Sequence, residues 1–423
     1  MIADRELVPA KHVLPFVLVT ALFFLWGIPN NLNDVLIRQF MKSLELSRFQ
    51  AGLLQSAFYM GYFLLSLPAA LLMRKYTYKA GLVTGLLLYS VGTFLFWPAA
   101  LSGRYGFFLF ALFVIAGGLA FLETGANPFI AQLGDPATSE RRLNLAQAFN
   151  PFGAIAGALI GTVFIFSGIE LNGAQVAGMK AAGTYDAYLR RETMRVITPY
   201  IALACVTLAW AFLMLRTKFP ALGAEQGKGG ERGSFRTLLR HRHFVLAVVA
   251  QFFYVGAQVG TWSYFIQYVQ DYAHQPEKFA GYLLSGTLVI FGIGRFASTW
   301  LMKFFQPNLL MGAFALVNVA LSAAAVALPG WIGLWAVFLT SFFMSLMFPT
   351  IFALGLKDLG PDTKLGGSLI VMGIVGGAAI TPLMGWIGAR SMALAMLAPL
   401  GCYAVIAHFA YAGSKLRARS AAA

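Results

Sequence analysis

The chain is 423 residues long, 59% hydrophobic and only 11% charged, with a formal net charge of +15 and a mean hydropathy of +0.72. That balance excludes a soluble globular chain and identifies a polytopic membrane protein. The surplus Lys and Arg fall in short clusters between apolar runs, with no aromatic-basic interleaving, so they read as a membrane-orientation signal and exclude a nucleic-acid partner.

A hydrocarbon core about 30 Å thick needs about 20 apolar helical residues. Twelve segments fit that template: roughly 13–40, 49–72, 80–100, 106–133, 143–168, 196–216, 243–271, 279–303, 309–328, 331–356, 366–388 and 392–413. They are too long for outer-membrane strands, and helices satisfy their own backbone polar groups in lipid. The expected fold class is therefore an all-α membrane protein of twelve transmembrane helices. The first run follows Arg5 and Lys11 without an evident cleavage pattern and is expected to be a retained span.

Span 1 contains FFLWGIPNNLNDVLIRQF, residues 23–40, which sets Asn30, Asn31, Asn33 and Asp34 in an apolar run. Asn30 and Asn31 share a helix face with Asp34, whereas Asn33 is turned away. Span 4 carries LETGANPF, in which Glu123 and Asn127 lie four apart. Of sixteen acidic residues, only Asp34 and Glu123 fall well inside predicted spans. Ionisable groups at that depth are costly enough to be functional candidates, the alternative being hydrogen-bonded interhelical glue. Span 5 adds Gln147 and Asn150, and its Gly153, Gly157 and Gly161 recur every four residues. Such spacing permits close helix contact, either as static packing or as a moving surface.

After span 6, residues 218–242 form the longest polar gap on one side, rich in glycine and basic residues. It reads as a linker between an N-terminal six-helix domain, 1–217, and a C-terminal six-helix domain with a short tail, 243–423. Gly227-Lys228 lacks the Ser/Thr and spacing of a phosphate loop, so no ATPase is expected. Span 7 holds Tyr254, Gln258 and Trp262 at three- or four-residue spacing, and span 11 repeats the glycine richness with Gly373, Gly376 and Gly377. Gly27 and Gly256 lie 229 residues apart, and Pro128 and Pro349 lie 221 apart. These nearly matched offsets hint at an internal repeat. Arg295 in span 8 reads as an interfacial structural group, and Cys205 and Cys402, both in apolar runs, read as small packing residues.

An even number of spans puts both termini on one side. The loops on that side, with both tails, carry 20 of the 31 Lys and Arg, against 10 on the other side, which places the termini in the cytoplasm.

The intramembrane amides and carboxylates offer many donors and acceptors, and an aromatic plate can stack on a sugar ring, so the natural guest is a neutral polyol. A desolvated carboxyl takes up a proton more readily, so proton coupling needs no cofactor. Sodium coupling, plain facilitated diffusion and a membrane sugar sensor without transport remain alternatives. No nucleophile–base set or metal-ligand cluster appears in the spans, so neither an enzyme nor a metal site is expected.

The blocks FFLWGIPNNLNDVL, QAGLLQSAFYMGYFLL, KAGLVTGLLLYSVGTFLFWPAA, LETGANPF, RLNLAQAFNPFGAI, YVGAQVGTWSY, FPTIFALGLKDLGPDTK and GGSLIVM together resemble the L-fucose:proton symporters of the major facilitator superfamily. The resemblance covers nearly the whole chain. It implies two pseudo-symmetric six-helix domains in the bacterial inner membrane, moving a sugar with a proton by alternating access, with the sugar and the bilayer as partners and the monomer as working unit. It further implies Asp34 and Glu123 as proton-coupling residues, with Glu123 facing the sugar. Asn31, Asn127, Gln147, Asn150, Gln258, Trp262 and position 348 are expected around the cavity. Phe348 stands where the family pattern has a tyrosine, and Pro151 where it has a serine. The related glucose and galactose carriers tend to carry glutamine at the position of Glu123. The glutamate with NNLND therefore favours the fucose branch, leaving galactose, glucose and N-acetylglucosamine as alternatives.

Overall fold

The computed structural model describes residues 8–134, 142, 145–220, 238–302, 304–357, 359 and 363–414, all of it helix, turn or irregular chain. Among the described residues, twelve helices are long and apolar enough to cross a membrane, the number expected from the sequence. They are α1 Ala10–Ser43, α2 Arg48–Met73, α3 Tyr78–Ser102, α4 Tyr105–Asn127, α5 Leu145–Ile165, α6 Tyr185–Arg216, α7 Arg242–Ala273, α8 Glu277–Ser298, α9 Pro307–Ala327, α10 Trp331–Leu356, α11 Leu369–Gly388 and α12 Met392–Gly413.

Local chemistry sets several helix starts. Ser47 and Gln50 form a reciprocal capping box ahead of α2, and Thr77 caps α3 by accepting from the Ala80 amide. Gly103, at φ +62°, turns the chain between α3 and α4 in a conformation that an L side chain resists. α6 begins eleven residues before the expected 196, because the polar turn Tyr185–Met194 continues into the apolar run. A further short helix, Gly173–Ala181, starts at an Asn172–Gln175 capping box. At nine residues it is too short to cross a membrane.

By their contacts the residues form two units, Met1–Lys228 with His274–Leu288, and Gly229–Ala273 with Val289–Ala423. Residues 221–237 of the expected linker lie outside the described residues. Within the first unit α1 is enclosed, with 67% of its apolar window buried against 28% for α2. The exposed rows Leu64, Leu67, Leu71 on α2 and Leu208, Phe212, Leu215 on α6 run at helical spacing, as lipid-facing surfaces do.

Glycine decides how closely α1 approaches α5. A Cβ on Gly27 would stand 2.6 Å from the Asn150 carbonyl oxygen, and those on Gly153 and Gly157 would strike the backbone carbonyls of Phe24 and Ile28. The second unit repeats the arrangement between α7 and α11, where a Cβ on Gly376 would strike the Phe252 carbonyl and one on Gly256 would meet Ile380. The same glycine device thus occurs on the first and fifth helices of each sequence half.

At the end of α1 a buried ionic cluster assembles that the sequence did not announce. The Lys42 ammonium lies 2.9 Å from Glu192 Oε2 and 2.7 Å from Glu277 Oε1, and also donates to Ser167 Oγ at 3.2 Å. Arg38 reaches Glu277 at 3.9 Å and Glu170 at 4.0 Å, while Glu170 accepts from the Glu277 backbone amide at 2.7 Å. Glu277 is fully buried and Glu192 nearly so. These contacts tie the start of α8 to α1 and to the chain between α5 and α6, consistent with the grouping of His274–Leu288 in the first unit.

Gly157→Ala is expected to overpack the α1–α5 contact and to destabilise by about 1–3 kcal/mol. Gly178→Ala, in an exposed helix with nothing nearby, should instead gain up to about 1 kcal/mol. Thermal unfolding followed by size-exclusion fluorescence distinguishes the two signs. Lys42→Met strands two buried carboxylates and should cost roughly 3–5 kcal/mol in the same assay, with much of the loss recovered by adding Glu277→Gln.

Candidate functional site

The intramembrane polar groups of the first unit converge from α1, α2, α4 and α5. Asp34, 2% exposed, accepts hydrogen bonds on both oxygens: from Asn31 Nδ2 to Oδ2 at 3.2 Å and from Gln55 Nε2 to Oδ1 at 2.9 Å. The first bond follows from the three-residue spacing on α1. The second comes from α2 and lies beyond the reach of a single-helix pattern.

Gln55 belongs to a face of α2 continued by Tyr59 and Tyr62, four and seven residues on. Tyr59 lies within electrostatic reach of both Asp34 and Glu123, and Tyr62 of Glu123. Tyr62 also takes a hydrogen bond from Asn30. The two carboxylates are therefore neighbours of one tyrosine face, and α2 supplies the groups between them. The sequence signal for this face, QSAFYMGY at helical spacing, was available but was not read as a polar stripe.

The amides beside Glu123 pair off in a chain. Asn127 Nδ2 donates to the Glu123 backbone carbonyl at 3.1 Å and its Oδ1 accepts from Gln147 Nε2 at 3.1 Å. Asn150 turns the other way and donates to the Phe23 carbonyl on α1 at 3.2 Å. Gln147 and Asn150 diverge because a turn at residues 148–149 interrupts α5 between them. Glu123 is half-buried. Asn33 is fully buried on another side of α1, in keeping with the expectation that it is turned away.

In the second unit Tyr254, Gln258 and Trp262 lie along α7, with Tyr254 fully buried, Gln258 half-buried and Trp262 9% exposed. Trp262 donates its indole N–H to Ser341 Oγ at 3.1 Å and meets Phe291 edge to face at 5.2 Å. Its ring is thus held by α8 and α10. Phe348 stands edge to face with Tyr254, ring centroids 6.0 Å apart. The guanidinium of Arg295, read from sequence as structural, lies 5.1 Å from the Phe291 ring centre and within electrostatic reach of Tyr254. Cation and aromatic rings form one cluster in which each fixes its neighbours' orientation.

Of the groups described, the first unit thus holds carboxylates and amides, and the second aromatic rings with the Gln258 amide and the Arg295 guanidinium. Hydrogen-bonding groups of the first kind suit hydroxyl-rich guests, and two carboxylates embedded among neutral donors suit reversible proton binding.

Comparison with known proteins agrees with this chemistry. Residues 16–364 match the family model described as Major Facilitator Superfamily. The chain is 46% identical over 407 residues to the L-fucose-proton symporter of Escherichia coli strain K12, covering 95% of this chain and 93% of that protein. It is 35% identical over 404 residues to a glucose/galactose transporter of Brucella abortus, covering 94% and 93%. Among solved structures, the outward-conformation crystal structure of the E. coli fucose:proton symporter aligns at 45% identity with a TM-score of 0.71, covering 96% of this chain and all of that one.

Proposed function

The chain belongs to the Major Facilitator Superfamily, and from that premise we propose that it is a secondary transporter coupling the uptake of L-fucose to a proton. The observation that carries this reading is the placement of Asp34 and Glu123 beside one tyrosine face of α2, with amides of α1, α4 and α5 around them. Such a set binds a polyol through neutral hydrogen bonds while a carboxyl takes the proton. The chain works as a carrier and not as an enzyme.

In this reading Asp34 and Glu123 carry the coupling, and Glu123, Asn31, Asn127, Gln147 and Asn150 meet sugar hydroxyls. Gln258, Trp262 and Phe348 supply the amide and aromatic contacts of the other half. The halves are 1–217 and 243–423, joined by 218–242, and transport proceeds by alternating access. Proton and sugar drive that exchange only through the difference in their binding to its two conformations. No cofactor is needed beyond the proton. The charge asymmetry of the loops supports cytoplasmic termini, and the bacterial relatives favour the inner membrane as its location.

Phe348 favours a second reading on substrate alone. Its ring packs on Tyr254 without a hydroxyl to offer a sugar, so glucose, galactose or N-acetylglucosamine are the competing hexoses.

The test is proton uptake by lightly buffered vesicles on separate addition of L-fucose, galactose, glucose, mannose and N-acetylglucosamine. L-Fucose is expected to give the largest alkalinisation, and Asp34→Asn and Glu123→Gln each to abolish it, while sugar counterflow survives in at least one of them. A larger response to another hexose would transfer the assignment to that sugar. Absence of alkalinisation with every sugar would overturn proton coupling.

A further inference from the structure

We propose that Gln55 is a positioning residue for proton coupling: it holds the ionised carboxylate of Asp34 from α2, and its amide turns over each time that carboxylate gains or loses a proton. The inference rests on the symport reading above and deepens it by naming a group, beyond the two carboxylates, that registers whether the proton is bound.

Gln55 is fully buried, and its Nε2 lies 2.9 Å from Asp34 Oδ1 while Asn31 Nδ2 holds Oδ2 at 3.2 Å. Both bonds are donated by amide N–H groups, so the arrangement matches a carboxylate that accepts on each oxygen. When Asp34 takes up one proton, a single O–H bond forms and one oxygen becomes a donor. The N–H facing that oxygen is then a donor opposite a donor.

A primary amide resolves the conflict without changing its position, because rotation about its last torsion exchanges N–H for C=O. Asn31 is attached to the same helix as Asp34 and moves with it. Gln55 reaches across from α2, so its rotation changes a contact between helices. The same α2 face continues through Tyr59, near both Asp34 and Glu123, and Tyr62, near Glu123. Titratable or charged groups facing this region are Tyr59 beside Asp34, Tyr62 and Glu123 further along, and Arg38 one turn on from Asp34 on α1. A change at Asp34 thereby reaches the groups around the second carboxylate through one rigid helix.

The experiment uses the full chain reconstituted in vesicles with L-fucose as the probe, reading counterflow and sugar-driven proton uptake side by side. Gln55→Met preserves length and volume and removes both amide groups; Gln55→Glu preserves length and removes the amide donor. Both are expected to keep counterflow within about twofold of the parent, while proton uptake per sugar and uphill accumulation fall roughly tenfold or more, the scale set by losing a hydrogen bond to a charged group. Should Gln55→Met fail to accumulate in the membrane, Gln55→Glu carries the same comparison. Unchanged coupling in either folded variant overturns the proposal. A parallel loss of counterflow and coupling also overturns it, since that pattern belongs to a structural or sugar-binding residue. Parent vesicles that take up fucose without protons would instead overturn the symport reading, and this inference with it.

Discussion

A carboxylate in hydrocarbon must be met by donors from the protein itself, since an unpaired charge there costs several kcal/mol at least (about 2.5–3.5 even by the mildest scales). The first unit is arranged around that requirement. Asp34 lies buried in the enclosed helix α1, nine residues before its end at Ser43, and amides from α1 and α2 take the place of water around it. Once those two helices are committed to one carboxylate, Tyr59 and Tyr62 follow from the helical repeat of α2, and Glu123 completes the set from α4.

The glycine contacts keep this arrangement in register. Because Gly27, Gly153 and Gly157 let the α1 and α5 backbones touch, Asn150 comes close enough to donate to the Phe23 carbonyl. A side chain at those glycines would push α5 away and remove that amide from its place. The equivalent contact of α7 with α11 in the second unit rests on Gly256 and Gly376, so the glycines provide close approach in both units, whatever polar groups stand beside them.

Much of this was legible in the sequence because hydrocarbon imposes patterns that one helix can display alone. The twelve runs are set by span length, and the Asn31–Asp34 and Glu123–Asn127 groupings follow from 3.6-residue periodicity, as does the turning away of Asn33. What escaped depends on contacts between helices. Gln55 reads as an isolated amide until α2 is laid beside α1. Glu192 and Glu277 sit at helix ends, where hydropathy scores them as loop charges, yet folding buries them against Lys42. The early start of α6 escaped for a related reason, since Arg190, Arg191 and Glu192 lower the apolar score of a segment whose backbone is already helical. Gln147 and Asn150 look like one stripe in sequence, but the turn before Asn150 sends one amide to α4 and the other to α1.

The identity of each partner separates carboxylates matched by cations from one held by neutral amides. Glu277 is matched by the ammonium of Lys42 at 2.7 Å, which also meets Glu192 at 2.9 Å. Such a pair holds the structure, because removing one member strands the other. Asn31 and Gln55 hold Asp34 with neutral amides, each of which can present an oxygen in place of a nitrogen. Asp34, Arg38 and Lys42 recur every four residues along α1, so both kinds of site share one face of one helix, roughly two turns or 12 Å apart from Asp34 to Lys42. The charge pairs anchor the end of that helix, while the carboxylate held by amides occupies its buried interior.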